Sequence, residues 1–220
     1  MLIVLAGKKQ SGKTTVSHYL QEKLNGDYIT YALADPLKAF VNSLFKWSTA
    51  HSDGFLKEVY TNVLIPTRSE VGASISHFLN GKYYTRNNVN DFFKVLDQFS
   101  TKDPLLYTIS PRQAYQIIGT EWGRTIDSKL WVSLADSFCS DNTNVIISDV
   151  RFEDEAEFVR DRGILVHIER TTLDDNHISE KGVRFDSYDY LIYNNGNLFQ
   201  LADAVEKFAD MINMWWVADE

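Results

Sequence analysis

Residues Gly7-Lys8-Lys9-Gln10-Ser11-Gly12-Lys13-Thr14 match G-x-x-x-x-G-K-[ST], a spacing suited to cradling a polyphosphate. Gly7 and Gly12 let the backbone curl until successive N–H groups point inward at an anion. Lys13 can reach the β- and γ-phosphates as a mobile point charge, and the Thr14 hydroxyl can ligate Mg²⁺. The flanks agree with that chemistry. An apolar run, Leu2–Ala6, enters the loop, and an amphipathic stretch leaves it, so a helix N-terminus adds its field. The plainer alternative is a glycine turn joining strand to helix, which leaves the lysine, the hydroxyl and both flanks as coincidence.

A second element is Val145-Ile146-Ile147-Ser148-Asp149, an apolar strand ending in an acid. An acid there can hold Mg²⁺ through water or contact an acceptor; alternatively it caps the helix carrying Ala156 and Val159. Arg151, two residues on, adds a cation suited to phosphate.

These groups need a scaffold that gathers strand ends. Short apolar runs at Leu2–Ala6, Tyr28–Leu33, Val145–Ser148, Ile164–Ile168 and Tyr190–Tyr193 alternate with amphipathic stretches, predicting α/β architecture with a five-stranded parallel sheet. Val16, Tyr19, Leu20 and Leu24 share one helical face before Asn25-Gly26 stops it. Asp35-Pro36 reads as an N-cap and first-turn proline ahead of Leu37, Phe40, Val41, Leu44 and Phe45. Ser110-Pro111 opens a helix expected to close at Gly119. Leu130, Trp131, Leu134, Ala135 and Phe138 line another, and the last begins near Leu198. Residues 48–103 lack the βαβ rhythm and hold Gly54, Pro66, Gly72 and Gly81, with a short helix expected over Asn90–Phe99. They read as an insertion covering an acceptor site, or as loop-rich surface elaboration.

Composition bounds the rest. With 220 residues, 44% hydrophobic and 24% charged, the chain is an ordinary globular protein with one core, or one core plus an inserted subdomain. Its one cysteine, Cys139, excludes an internal disulfide, and no Cys/His cluster has zinc spacing. It lies on an apolar helical pattern, as a buried bystander would. A net charge of −8 disfavours binding a nucleic-acid polymer, although basic groups gathered at one site can still hold a polyphosphate. The N-terminal apolar run is too short, and lacks the basic lead, for a signal peptide; no later run reaches membrane-span length. The expected location is the cytoplasm.

Together these motifs resemble the deoxynucleoside monophosphate kinases of tailed bacteriophages. The resemblance rests on GKKQSGKTT, ALADPLK at 32–38, PRQAYQIIGTEWGR at 111–124, SDVRFEDEA at 148–156, HISE at 177–180 and the ending IYNNGNLFQL. Little of 48–103 takes part. The family implies a three-layer P-loop nucleotide-kinase sandwich over residues 1–220, with an acceptor-side insertion and a lid near 170–182. It implies ATP as donor, Mg²⁺ as cofactor and a deoxynucleoside 5'-monophosphate as acceptor, giving the diphosphate and ADP for deoxynucleotide supply. For a phage-encoded chain the location becomes the host cytoplasm, and a homodimer stays open.

Carried over by position, Lys9, Gln10, Ser11, Gly12, Thr14 and Thr15 surround the donor phosphates with Lys13. Leu37, Lys38, Arg112, Gln116, Gly119, Thr120, Trp131, Asp149, Arg151 and Glu155 fall at the acceptor, with Arg68 added by position alone. Some relatives carry an acid where this chain has Thr14, so the metal ligand is Thr14 or Thr15, together with Asp149.

Gln116 offers the donor and acceptor needed to read a base edge, and Arg112 can grip a phosphate bidentately. Trp131 could stack on a base or simply pack; Lys38 could face the acceptor phosphate or solvent. Arg170, after the fourth strand, is placed to stabilise charge on the transferring group together with Lys13 and Arg151. Asp149 or Asp35 could orient the acceptor, although Asp35 is equally a cap. His177 and Glu180 suggest a hinge or lid contact. Two rivals remain: a kinase of another phosphorylated metabolite, of phosphomevalonate or dephospho-coenzyme A type, and a regulatory or assembly ATPase. Gln116 and Trp131 favour an aromatic acceptor over the first, and the second leaves the acceptor-side motifs unexplained.

Overall fold

A computed structural model describes residues 1–171, 183–187 and 189–218. The chain forms two compact units, residues 1–33 with 135–220, and residues 34–134.

The first unit holds a sheet of β1 (Leu2–Ala6), β2 (Ile29–Tyr31), β5 (Val145–Val150), β6 (Ile164–Glu169) and β7 (Tyr190–Tyr193). Its order is β2-β5-β1-β6-β7, and every pairing is parallel. Strand β1 lies at the centre and is buried throughout, as its unbroken apolar run requires. Side chains alternate along it. Ile3 and Leu5 join Val16 and Leu20 of α1 (Lys13–Lys23) and Leu201, Val205 and Phe208 of α10 (Leu198–Ala218). Leu2, Val4 and Ala6 join Ala135 of α8 (Leu130–Asp141) and Ala156 and Val159 of α9 (Glu153–Arg160). Helices therefore cover both faces, giving the expected α/β three-layer sandwich. Cys139 is half-buried within the second cluster, and burial pushes its thiol pKa up, which suits a bystander.

The second unit contains α2 (Asp35–Phe45), α3 (Thr49–Asp53), α4 (Arg68–Phe78), α5 (Arg86–Leu96), α6 (Pro111–Gln116) and the antiparallel pair β3 (Thr61–Leu64) and β4 (Leu106–Ile109). Its core is aromatic. Phe40 stacks on Trp122 with ring centroids 5.3 Å apart, and Phe92 meets both edge-on.

Four local expectations change. Helix α2 begins at Asp35 itself, with Ala34 at the N-cap, so Asp35 places its charge in the first turn, where the dipole favours it. The helix opened by the Ser110 cap and Pro111 does not close at Gly119. It widens into a π-helical stretch over Ile117–Gly123 and ends in α7 (Arg124–Ile126). Gly119 makes room there, because a Cβ would lie 2.6 Å from Leu37 Cδ2. Helix α4 was hidden by its neighbouring Pro66, although Thr67 and Glu70 form a reciprocal capping box and Val71 and Ile75 give the apolar face. Helix α5 spans Arg86–Leu96, and a 3-10 turn continues it over Asp97–Phe99. Among the described residues, no helix is long and apolar enough to cross a membrane.

Candidate active site

The loop leaves β1 at Gly7 and enters α1 at Lys13, at the C-terminal edge of the parallel sheet where α/β ligands collect. Gly7, Gln10 and Gly12 have φ of +154°, +62° and +103°, the curl that turns backbone amides inward. A Cβ at Gly12 would also meet the buried Asn194 side-chain amide, which would have to shift. Lys13 Nζ donates to the carbonyl oxygens of Gly7 and, at 2.7 Å, of Lys8, holding the ammonium across the loop. No acid lies in the first turn of α1, so its N-terminal field is not neutralised there. The Ser11 hydroxyl is buried and has no hydrogen-bond partner among the described residues.

Two cavities flank this loop. One, of about 750 Å³, is lined by Gly7, Lys8, His167, Arg170, Phe185 and Tyr193 among others. The other, of about 540 Å³ and mostly apolar, includes Gly12, Thr15, Arg170, Asn194, Leu198 and Phe199. Exposed Arg170 lines both cavities. Residues 172–182, with His177, Glu180 and the expected lid, lie outside the described residues.

Asn194 was not anticipated from the sequence. It follows β7 directly, is 6% exposed, and its Nδ2 donates to the Ser11 carbonyl at 2.7 Å. Its own N–H donates to the Glu169 carbonyl at 2.7 Å, tying the loop to the end of β6. The only signal was a run of asparagines where an apolar strand ends.

A second unanticipated cluster surrounds Asp189. Its buried carboxylate accepts from Arg160 at 3.1 Å and from the Asp186 N–H at 2.8 Å, and it meets His167 Nε2 at 2.9 Å. Burial alone would raise the Asp189 pKa, but Arg160, the Asp186 amide and His167 hold it below the usual carboxylate value.

On the acidic strand, Asp149 Oδ1 accepts from the Leu33 N–H at 2.6 Å. Buried Glu155 caps α9, its Oε2 accepting from the N–H groups of Arg151 and Phe152 at 2.9 and 3.0 Å. Glu155 thus orders the turn that carries Arg151.

In the second unit, Leu37 packs on Gly119, and buried Trp131 donates its indole N–H to the Gly119 carbonyl at 3.0 Å. Trp131 is 6% exposed and belongs to the aromatic core. Gln116 and Thr120 are half-buried on the same helical run. Lys38 lies 3.8 Å from Asp35. Arg112 pairs with Glu58. Arg68 is bonded to Asn90 and stacked 5.1 Å over the Phe93 ring.

A hydroxyl at Thr14 or Thr15 and the Asp149 carboxylate are hard oxygen donors of the kind Mg²⁺ takes. Among the described residues no group of three or more His, Cys, Asp or Glu could hold a metal. The oxygen donors present suit an ion bound largely by phosphate oxygens and water.

A family model described as deoxynucleotide monophosphate kinase matches residues 1–86 and 73–205. The deoxynucleotide monophosphate kinase of Escherichia phage RB69 is 27% identical over 243 residues, covering 94% of this chain and 98% of that one. The protein of the same description from Enterobacteria phage T4 is 26% identical, covering 94% and 97%. A deoxynucleoside-5'-monophosphate kinase of Escherichia phage T5 is 34% identical over 97 residues, covering 37% of this chain and 39% of that one. Both matched segments of the family model together run from β1 into α10, and the chain belongs to the deoxynucleotide monophosphate kinase family, a phosphotransferase acting on nucleotides.

Proposed function

We propose that the protein transfers the γ-phosphoryl group of ATP to the 5'-phosphate of a deoxynucleoside monophosphate, releasing ADP and the diphosphate. The observation that carries this reading is the glycine-curled loop with Lys13 held across it. Lys9, Gln10, Ser11, Gly12, Lys13, Thr14 and Thr15 are assigned to the donor phosphates. The apolar cavity bordered by Leu198 and Phe199 suits the donor base. Mg²⁺, held by Thr14 or Thr15 and Asp149, would supply charge neutralisation at the phosphates when bound.

The acceptor is assigned to Leu37, Lys38, Arg68, Arg112, Gln116, Gly119, Thr120, Trp131, Asp149, Arg151 and Glu155. An ionised phosphate acceptor needs no strong base, so positioning and cations carry the catalysis. Lys13, Arg151 and Arg170 supply charge to the equatorial oxygens of the loose transition state. Gln116 reads the base edge, while Leu37, Gly119 and Trp131 shape the helical run behind it. The reaction belongs in the cytoplasm, where deoxynucleotides are made.

A coupled ADP-release assay across deoxynucleoside monophosphates, phosphomevalonate and dephospho-coenzyme A tests the proposal. Acceptor-dependent ADP release with the nucleotides alone is expected. Hydrolysis that ignores the acceptor would point to a regulatory ATPase instead.

Asn194→Asp should raise the KM for ATP about tenfold, because it exchanges an amide donor for an anion behind the phosphate loop. Steady-state kinetics with each substrate varied in turn check this, and the acceptor KM should move far less. Equal changes in both constants would mean a general loss of structure.

A further inference from the structure

We propose that Glu58 is a specificity-determining residue of the acceptor site, occupying the Arg112 guanidinium until a phosphate dianion displaces it. The inference rests on the acceptor reading of Arg112 and adds a residue that neither the motifs nor the family match assigns.

Arg112 stands in the first turn of α6, and its Nε donates to a Glu58 carboxylate oxygen from 54 positions earlier in the chain. The Arg112 side chain is 28% exposed, that of Glu58 62% exposed. Glu58 ends a 3-10 turn over Phe55–Glu58 in which no residue is buried. Phe55 is 85% exposed, and Val59 and Tyr60 beyond the turn are also open to solvent. Apolar burial therefore does little to seat this turn. What seats it is polar: the Glu58–Arg112 pair, and Lys57 standing 6.0 Å over the Tyr115 ring. Next to it, the Tyr115, Ser52 and Asn42 side chains bond to one another and fix the helical wall behind. A rigid wall carrying a guanidinium thus faces a turn tied to it by the Glu58 carboxylate and by Lys57 over the Tyr115 ring.

A carboxylate offers the guanidinium one negative charge and two oxygens. A nucleotide phosphate offers up to two charges and three oxygens, so it wins the same donors by charge-assisted hydrogen bonding. An exposed ion pair is weak enough to be exchanged readily. A nucleoside without phosphate offers nothing comparable and leaves Glu58 in place. The carboxylate therefore acts as an internal competitor, admitting anions of high charge and lowering the apparent affinity for all of them.

The test is steady-state kinetics of Glu58→Gln, Glu58→Lys, Arg112→Gln and the double variant Glu58→Gln/Arg112→Gln, with inorganic phosphate as a competing anion. Glu58→Gln should lower the acceptor KM and the inhibition constant of phosphate about threefold each, leaving the KM for ATP in place. Glu58→Lys should extend both drops to about tenfold, following added positive charge. Arg112→Gln should raise the acceptor KM at least about tenfold, and in that background Glu58→Gln should do nothing. If Arg112→Gln raises the acceptor KM but neither Glu58 variant lowers it, the competitor role is overturned while the acceptor reading stands. If Arg112→Gln leaves the acceptor KM unchanged, both fall together.

Discussion

Lys13→Ala lowers turnover by about a thousandfold or more while the fold survives. The ammonium already rests on the Gly7 and Lys8 carbonyls, so the loop presents it to the phosphates with little reorganisation. Deleting it removes a charge that matters most when negative charge spreads over the γ-phosphoryl oxygens in the transition state. The loss should therefore appear in kcat as well as in the KM for ATP. Stability should scarcely change, because the β1 and α1 core of Ile3, Leu5, Val16 and Leu20 is untouched. ADP release and circular dichroism on the same preparation separate the two effects. Turnover within a few-fold of wild type would remove the loop from the reaction.

Asp189→Ala destabilises the first unit by about 3 kcal/mol, since removing one partner of a buried ion pair strands the other. The Asp189 side chain is only 2% exposed, and that of Arg160 is 18% exposed. Arg160 keeps Glu153 at 2.6 Å and the Arg184 carbonyl, which limits the damage. Thermal unfolding should shift down by about 6–12 °C for a chain of this size. The loss should depend on pH. Because the folded Asp189 pKa lies below its unfolded value, its contribution is present above the ordinary carboxylate range. It fades as pH falls through the lowered pKa. The gap between wild type and variant is therefore full at neutral pH and narrows in acid below about pH 4. A shift within about 1 °C at neutral pH would show that the cluster contributes nothing beyond its geometry. Functionally the cluster matters because His167 and Phe185 line the same cavity as Gly7 and Lys8, and their rings meet edge-on at 5.3 Å.

Much of this was readable along the chain. All five strands of the parallel sheet announced themselves as short apolar runs, most plainly β1, which is covered on both faces and needs no polar alternation. Legibility failed where one local signal masked another. Pro66 concealed the Thr67–Glu70 capping box of α4, and Gly119 looked like a stop although it serves to admit Leu37. A cap was the alternative reading of Asp149; its carboxylate accepts from Leu33, and the amides that open α9 donate to Glu155, which no local signal marked as a cap.

By itself, the sequence determined the phosphate loop, its flanking strand and helix, and the acidic strand, because spacing over a few residues dictates backbone curl and side-chain direction. Tertiary structure alone decided that Asn194 stands behind Gly12, that Glu58 takes the hand of Arg112, and that Trp131 gives its N–H to Gly119. Periodicity and capping describe each segment against its own axis. They carry no information about which distant side chain will satisfy a given donor, and that is settled only when burial forces separate segments to exchange hydrogen bonds.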